Sequence, residues 1–398
     1  MIQTLPSRTS SASSLPTAIG AVAIAAVAIY LNAAVSWRQS ALFIVGAFAG
    51  LVLYHAAFGF TSAWRVLISD RRGAGLRAQM LMLAVTCVVF FPLLAEGSAF
   101  GHPVRGSISP PGVAVLAGAF IFGIGMQLGG GCASGTLYSA GGGSTRMFVV
   151  LAAFIAGSVI GTAHTWWWAA LPAWAPTSIV TVFGPWAALA MSLAVFGVVT
   201  WTTVLIERRH HGRVVDDTPA SMSRWLRGPW PLVAGALGLA AVNSATLLIG
   251  GRPWGVTSAF ALWGAKVAGG LGVPVEAWPY WSAPAQAAAL KAGVLSDVTS
   301  VMNIGIMLGA LLAALLAGRF APAWKIPARS LVAAVVGGLL LGYGARVAYG
   351  CNIGAYFSGI ASGSLHGWLW LPAAFLGNIL GTSLRPYFGL GVERTPRC

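Results

Sequence analysis

Residues 342–358 read GYGARVAYGCNIGAYFS, and residues 123–139 read GIGMQLGGGCASGTLYS. The two stretches share glycine, cysteine and serine at six positions with one fixed offset. The shared positions are Gly123, Gly125, Gly131, Cys132, Gly135 and Ser139, which fall on Gly342, Gly344, Gly350, Cys351, Gly354 and Ser358. Two of the chain's four cysteines therefore hold the same place in two copies. This repeat predicts a duplicated protein whose centre presents two thiols.

A second repeat occurs once in each half of the chain. FGFTSAW at 58–64 matches WGVTSAF at 254–260, so that two hydroxyl pairs align. These hydroxyls belong to Thr61, Ser62, Thr257 and Ser258. They can donate hydrogen bonds to an anion, or they can cap and back-bond within a helix, as serine and threonine commonly do. The sequence favours neither interpretation.

The composition is that of a protein embedded in lipid. Hydrophobic residues make up 57% of the chain and charged residues 8%, whereas soluble proteins carry roughly 25% charged residues. The net charge of +15 comes largely from arginines in short clusters between apolar runs, as the positive-inside rule expects of cytoplasmic loops. We therefore expect a lipid bilayer, and not nucleic acid, as the partner of this basic chain.

Apolar runs long enough to cross a bilayer core, which needs roughly 20 residues, recur along the whole chain. The predicted spans are 17–36, 40–60, 78–95, 111–129, 146–165, 183–206, 229–249, 298–317, 329–347 and 366–384. The expected fold class is therefore all-α: a polytopic membrane protein with about ten spans.

The arginine-rich connections orient these spans. Segments 65–77, 207–228 and 319–329 and the C-terminal tail can all be cytoplasmic only if both termini are cytoplasmic. The helix that enters Cys132 then runs inward and the helix that enters Cys351 runs outward. Two inverted repeats are predicted, a pattern typical of transporters.

The long polar segment divides the chain into two halves. We expect a disordered tail at 1–16, a first half at 17–206, a cytoplasmic linker at 207–228, a second half at 229–386 and a C-terminal tail at 387–398.

The glycines around the cysteines are too many for uninterrupted helices, because each weakens a helix by about 1 kcal/mol relative to alanine. We predict short re-entrant or broken helices that stop near Gly131 and Gly350 and meet at the midplane, with free amides that favour an anion. The alternative is close helix packing through small residues.

Thiols at Cys132 and Cys351 can act as weak, polarisable donors and soft partners for sulfur. The alternative is that both are small buried apolar side chains. Cys87 and Cys398 have no counterparts, and we predict no role for them. The spacing of histidine and cysteine predicts no metal site, and no cofactor motif is present.

Two polar residues flank the second cysteine. Arg346 lies in an apolar run, where an arginine is costly and usually functional. Its counterpart is Gln127, so that the attraction for an anion is expected from one side only. The alternative is that the Arg346 side chain snorkels to a lipid headgroup. Asn352 is a further candidate donor.

These motifs resemble those of the YeeE/YedE family of sulfur-compound transporters. The resemblance is carried by residues 342–368, 251–260 and 123–132. It implies a bacterial inner-membrane protein, not an enzyme, that imports thiosulfate past Cys132 and Cys351 by hydrogen bonding. A separate cytoplasmic sulfur-carrier protein is the expected acceptor of the anion.

One departure from the family leaves alternatives open. Many thiosulfate-type members have a further cysteine where this chain has Gly59. A selenium-compound transporter of the same family is therefore one alternative. The others are a membrane thiol protein that exchanges sulfane sulfur and a purely structural subunit.

Overall fold

The computed structural model describes residues 14–215 and 225–393. In these residues the chain is almost entirely helical, and the two-stranded ribbon of Ser98–Ala99 and His102–Pro103 is the single sheet found there. The first helix begins at Ser14, two residues before the predicted end of the N-terminal tail. The rest of that tail lies outside the described residues.

Ten helices lie within the described residues 14–215. They are α1 Ser14–Ala34, α2 Trp37–His55, α3 Phe60–Asp70, α4 Ala74–Glu96, α5 Val113–Gly129, α6 Ala133–Gly141, α7 Thr145–Ala163, α8 Thr165–Ala169, α9 Ile179–Phe183 and α10 Pro185–His211. The predicted boundary at 206 falls inside α10, which continues for five more residues.

Eight helices follow. They are α11 Leu232–Gly250, α12 Thr257–Gly270, α13 Pro279–Ser282, α14 Pro284–Lys291, α15 Val298–Leu316, α16 Ala328–Val347, α17 Ser358–Ala361 and α18 Leu365–Leu384. A π-helical turn, Asn352–Phe357, lies between α16 and α17. Short 3₁₀ turns occupy Val275–Ala277, Val294–Ser296 and Arg385–Phe388.

Among the described residues, nine helical segments are long and apolar enough to cross a membrane. Three of them, Trp37–Asp70, Val113–Gly141 and Ala328–Ala361, contain a break. The prediction of a polytopic all-α membrane protein is confirmed. The predicted span 366–384 is also a helix, α18, but it is not one of these nine.

The main helix contacts come in matching pairs that the repeat relates to each other. At the centre α5 packs against α16; α5 also packs on α18, and α16 on α7. Likewise α2 packs on α15, and α11 on α4. The motif repeat aligns α5 with α16, and beyond it Gly157 and Gly161–Thr162 match Gly377 and Gly381–Thr382, which aligns α7 with α18. The α5–α18 contact is therefore the counterpart of the α16–α7 contact. Helices α2 and α11, which precede the two hydroxyl repeats, likewise make matching contacts with α15 and α4.

Two of the repeated glycines serve this packing. A Cβ atom at Gly123 would lie 2.2 Å from the carbonyl oxygen of Ala374, and one at Gly342 would lie 2.2 Å from that of Phe154. Both distances are far shorter than a van der Waals contact, so that any side chain would push the helices apart. Close packing therefore explains these glycines, which precede the breaks.

Candidate functional site

The first break separates α5 from α6. Helix α5 ends at Gly129, and Gly130 follows in the left-handed conformation with φ of 84°. Cys132 then caps α6, because its Sγ accepts a hydrogen bond from the Gly135 amide at 3.4 Å. The same sulfur lies 3.4 Å from the Ser134 hydroxyl oxygen. The thiol is thus held at the start of the short helix.

The second break resembles the first, but a π-helical turn follows it instead of an α-helix. Helix α16 ends at Val347, and Tyr349 and Gly350 both have positive φ, of 59° and 154°. Cys351 precedes the π-helical turn and makes no side-chain capping bond. Broken helices are therefore present at both predicted positions. A π-helical turn is frequent at functional sites.

The two cysteines begin elements that pack against each other across the halves. Helix α6, which Cys132 caps, packs against the π-helical turn that follows Cys351. Cys132 is 2% exposed and Cys351 is fully buried, so that neither faces the bilayer. Cys87, in α4, is buried as well. Both repeated thiols therefore lie inside the protein.

A buried amide beside Cys351 has no hydrogen-bond partner. Asn352 is fully buried, and neither its Nδ2 nor its Oδ1 is bonded. Buried polar side chains are nearly always hydrogen-bonded, so that this exception marks Asn352 as a candidate functional residue. A Cβ atom at Gly354, two residues further on, would meet no atom within 4 Å. An unsatisfied amide and open space thus adjoin the second thiol.

We predict that Gly350→Ala destabilises the second break and that Gly354→Ala does not. A Cβ at Gly350 would lie 2.8 Å from the Ala355 amide nitrogen, in a backbone conformation that costs other residues about 1–3 kcal/mol. Thermal unfolding in detergent should show a lowered midpoint for the first variant alone. Equal midpoints for the two variants would show that the break does not need this conformation.

The four predicted hydroxyls have different surroundings. Ser62 donates to the Gly59 carbonyl oxygen at 3.2 Å, and Ser258 donates to the Thr299 hydroxyl at 3.0 Å. These two serines are therefore satisfied locally. Thr61 and Thr257 are both buried, and the Thr61 hydroxyl has no partner.

The Arg346 guanidinium is held inside the protein by two other elements. Its Nη2 donates to the Thr257 hydroxyl at 2.7 Å, and its Nη1 donates to the Tyr280 hydroxyl at 3.2 Å. Its Nε is buried without a partner. No ion pair of Arg346 with a carboxylate is present among the described residues. Its charge is therefore available to an anion at the α16 end of the break.

A second buried arginine was missed by the sequence prediction, which assigned Arg65 to a loop. Arg65 lies in α3 and is 8% exposed. Its Nη1 is 3.4 Å from Oε1 of Gln127, the counterpart of Arg346. That attraction for an anion comes from the Arg346 side only stays a prediction: Arg65 adds a guanidinium on the Gln127 side, but this guanidinium is paired with the Glu393 carboxylate. The sequence signal that could have revealed Arg65 is its position inside the apolar run that starts at Thr61.

A cavity of about 590 Å³ adjoins α6, and its volume is in the range of small-molecule sites. The residues around it are Tyr54, Tyr138, Ser139, Gly142, Gly143, Ser144, Thr145, Arg146, Ala321, Ala323, Lys325, Ile326, Pro327 and Ser330. Arg146 and Lys325 make its wall positive, and Tyr138 lies near Cys132. A basic cavity thus lies at the end of α6 that is opposite to Cys132.

Comparison with known proteins then identifies the family. The model of the sulphur transport family matches residues 55–380, which include both breaks and both hydroxyl repeats. The chain belongs to the sulphur transport family. The resemblance found from the motifs is confirmed, and the chain is a multi-pass membrane protein of a transporter family.

Proteins similar to this chain are of two kinds: a thiosulfate transporter and probable transporters. The chain is 27% identical over 352 residues to the thiosulfate transporter TsuA of Spirochaeta thermophila, covering 84% of this chain and 95% of the relative. It is 30% identical over 180 residues to the probable transporter YedE of Escherichia coli, covering 42% of each chain. The match to YedE of Salmonella typhimurium also spans 42% of that protein.

Proposed function

We propose that this protein is a bacterial inner-membrane transporter or channel that imports thiosulfate, relayed past Cys132 and Cys351. The observation that carries the proposal is the packing of α6 against the π-helical turn, because each of these two elements starts at a repeated, buried cysteine and the unsatisfied amide of Asn352 lies beside the second. The similarity to a thiosulfate transporter along nearly its whole length supports the choice of substrate.

Thiosulfate matches the chemistry of this site. The anion has a soft terminal sulfur and three oxygens. The thiols offer soft, weak S–H donors to sulfur, while the Asn352 amide can donate to an oxygen. Weak donors suit conduction, because an anion must bind strongly enough to enter and weakly enough to leave.

The proposed route runs from Arg346 past Gly350 and the thiols, and then past Gly131 to the basic cavity. Thr61 and Thr257 lie beside this route, with Ser62 and Ser258 one residue away on α3 and α12. The route needs the arrangement predicted from sequence: two inverted halves and cytoplasmic termini. A separate cytoplasmic sulfur carrier then receives the anion.

Growth on a single sulfur source tests the substrate. A bacterium that lacks sulfur-anion uptake should grow on thiosulfate when it carries the wild-type gene, and should not grow with an empty vector. Failure of the wild type on thiosulfate, together with raised uptake of selenium compounds, would favour the selenium-transporting branch. Sulfane-sulfur exchange would instead leave a persulfide on Cys132 or Cys351, visible by mass spectrometry.

A further inference from the structure

The C-terminal segment places a carboxylate on the buried arginine of α3. Nε and Nη2 of Arg65 each donate to a Glu393 carboxylate oxygen at 2.6 Å. The arginine side chain is 10% exposed, whereas the glutamate side chain is 39% exposed. A solvent-facing acid at the end of the described chain therefore reaches inward to a buried cation.

The surroundings of this pair carry an excess of positive charge. Arg385 lies close enough to Arg65, Glu393 and Arg146 to interact with all three electrostatically. Arg385 and Arg146 are directed at the end of α5, where they donate to the carbonyl oxygens of Gln127, Leu128 and Gly129. Among the described contacts, the Arg65 guanidinium donates to no backbone carbonyl oxygen. Of these three guanidiniums, it is therefore the one with an edge that can bind an anion.

Arg65 also lies beside the route proposed above. It is one helical turn after Thr61, whose buried hydroxyl has no partner. It contacts Gln127, which occupies in the first copy the place that Arg346 occupies in the second. Arg65 on α3 and Arg346 on α16 thus each lie close to a repeated threonine, and only Arg65 is paired with a carboxylate, that of Glu393, among the described residues.

We propose that Arg65 is an inner-side binding site for the transported oxyanion and that Glu393 competes for it as a built-in carboxylate. This inference rests on the proposed function. Two oxygens of an SO₃ group present the same edge to a guanidinium as the two carboxylate oxygens do. The anion that leaves the thiols displaces Glu393, and the returning carboxylate then helps to release the anion.

Removal of the competing charge should strengthen anion binding. With an intramolecular competitor, the apparent Kd equals the intrinsic Kd divided by the fraction of sites that the competitor leaves free. We expect Glu393→Gln to lower the apparent Kd for thiosulfate about 10-fold, measured by calorimetry on the purified full chain. Glu96→Gln, at an exposed position far along the sequence, is the matched control and should leave Kd unchanged. In the Arg65→Gln background, Glu393→Gln should have no effect.

A label on the tail tests the displacement without any transport. Gly391 is exposed, and a Cβ atom there would meet no atom within 4 Å. A nitroxide on Gly391→Cys, in a Cys398→Ser background, should become mobile on addition of thiosulfate or in the Glu393→Gln variant. Sodium chloride at equal ionic strength should leave it immobile.

Two results would overturn the competing-carboxylate proposal. One is a label whose mobility changes neither with thiosulfate nor in Glu393→Gln. The other is a lowered unfolding temperature for Glu393→Gln with weaker or unchanged anion binding, as a purely structural anchor predicts. If thiosulfate uptake is present and depends on Cys132 and Cys351 while either result holds, only this inference fails. If uptake is absent but thiosulfate still mobilises the label, the proposed function fails alone.

Discussion

Thiosulfate uptake is expected to fall about 100-fold in Cys351→Ala, and equally in Cys132→Ala. Each thiol is buried where the two halves meet, and alanine at either position removes the soft S–H donor. Loss of one hydrogen bond to a charged group costs about 1.5–3 kcal/mol, which corresponds to roughly 10- to 100-fold. Uptake of radiolabelled thiosulfate into proteoliposomes measures the effect directly.

The chain supplies its own control for the cysteine variants. Cys87→Ala removes an equally buried thiol that has no counterpart in the repeat, and it should retain wild-type uptake. Serine separates relay from covalent exchange. Cys351→Ser keeps a hydroxyl donor and should retain partial uptake under a relay, whereas persulfide chemistry would be lost entirely. Wild-type uptake in both alanine variants would support a structural role for the two thiols.

The second large effect is expected at Arg346. Replacement by glutamine, the residue at the matched position 127, should raise the KM for thiosulfate about 10-fold. The guanidinium is bonded only to neutral hydroxyls in the described structure, so that its charge is not cancelled by a carboxylate. Arg346→Lys keeps the charge and should lose less.

Ionic strength distinguishes a charge effect from a packing effect at Arg346. Attraction of an anion by a fixed charge weakens as salt screens it, with a Debye length of about 10 Å at 0.1 M. Wild-type KM should therefore rise with salt, and the Arg346→Gln variant should show a smaller rise. Arg252→Gln, which removes an exposed arginine paired with Asp297, is the control. Equal salt dependence in wild type and Arg346→Gln would show that this arginine acts through packing.

Most of the long helices could be predicted from hydrophobicity and length. Helix α15, predicted at 298–317, runs from Val298 to Leu316, and α16, predicted at 329–347, begins one residue earlier at Ala328. These helices are bounded by polar or proline-containing connections, which change the local hydrophobicity sharply. The breaks at Gly131 and Gly350 were also predictable, because clustered glycines oppose a continuous helix.

The shorter elements were not predictable in the same way. Residues 40–60 were expected to form one span, but the chain forms α2, a break at residues 56–59, and the separate α3. Helix α12, of 14 residues, is too short for a full span and was missed. Short helices are stabilised by tertiary contacts more than by their own sequence pattern.

The contacts of the site required the three-dimensional structure. The repeat predicted that Cys132 and Cys351 are equivalent, but pairing across the halves depends on how α6 packs against the π-helical turn. The Arg65–Glu393 contact joins residues 328 positions apart, and no local pattern indicates it.

Protection of the thiols by the substrate is the most direct test of the account. In a Cys87→Ala, Cys398→Ser background, N-ethylmaleimide should modify the buried Cys132 and Cys351 slowly, and uptake should fall in parallel. Thiosulfate should slow modification at both residues, measured by mass spectrometry, while sodium chloride at equal ionic strength should slow it at neither. If thiosulfate protects neither thiol, or if alkylation of both leaves uptake unchanged, the anion does not pass between them.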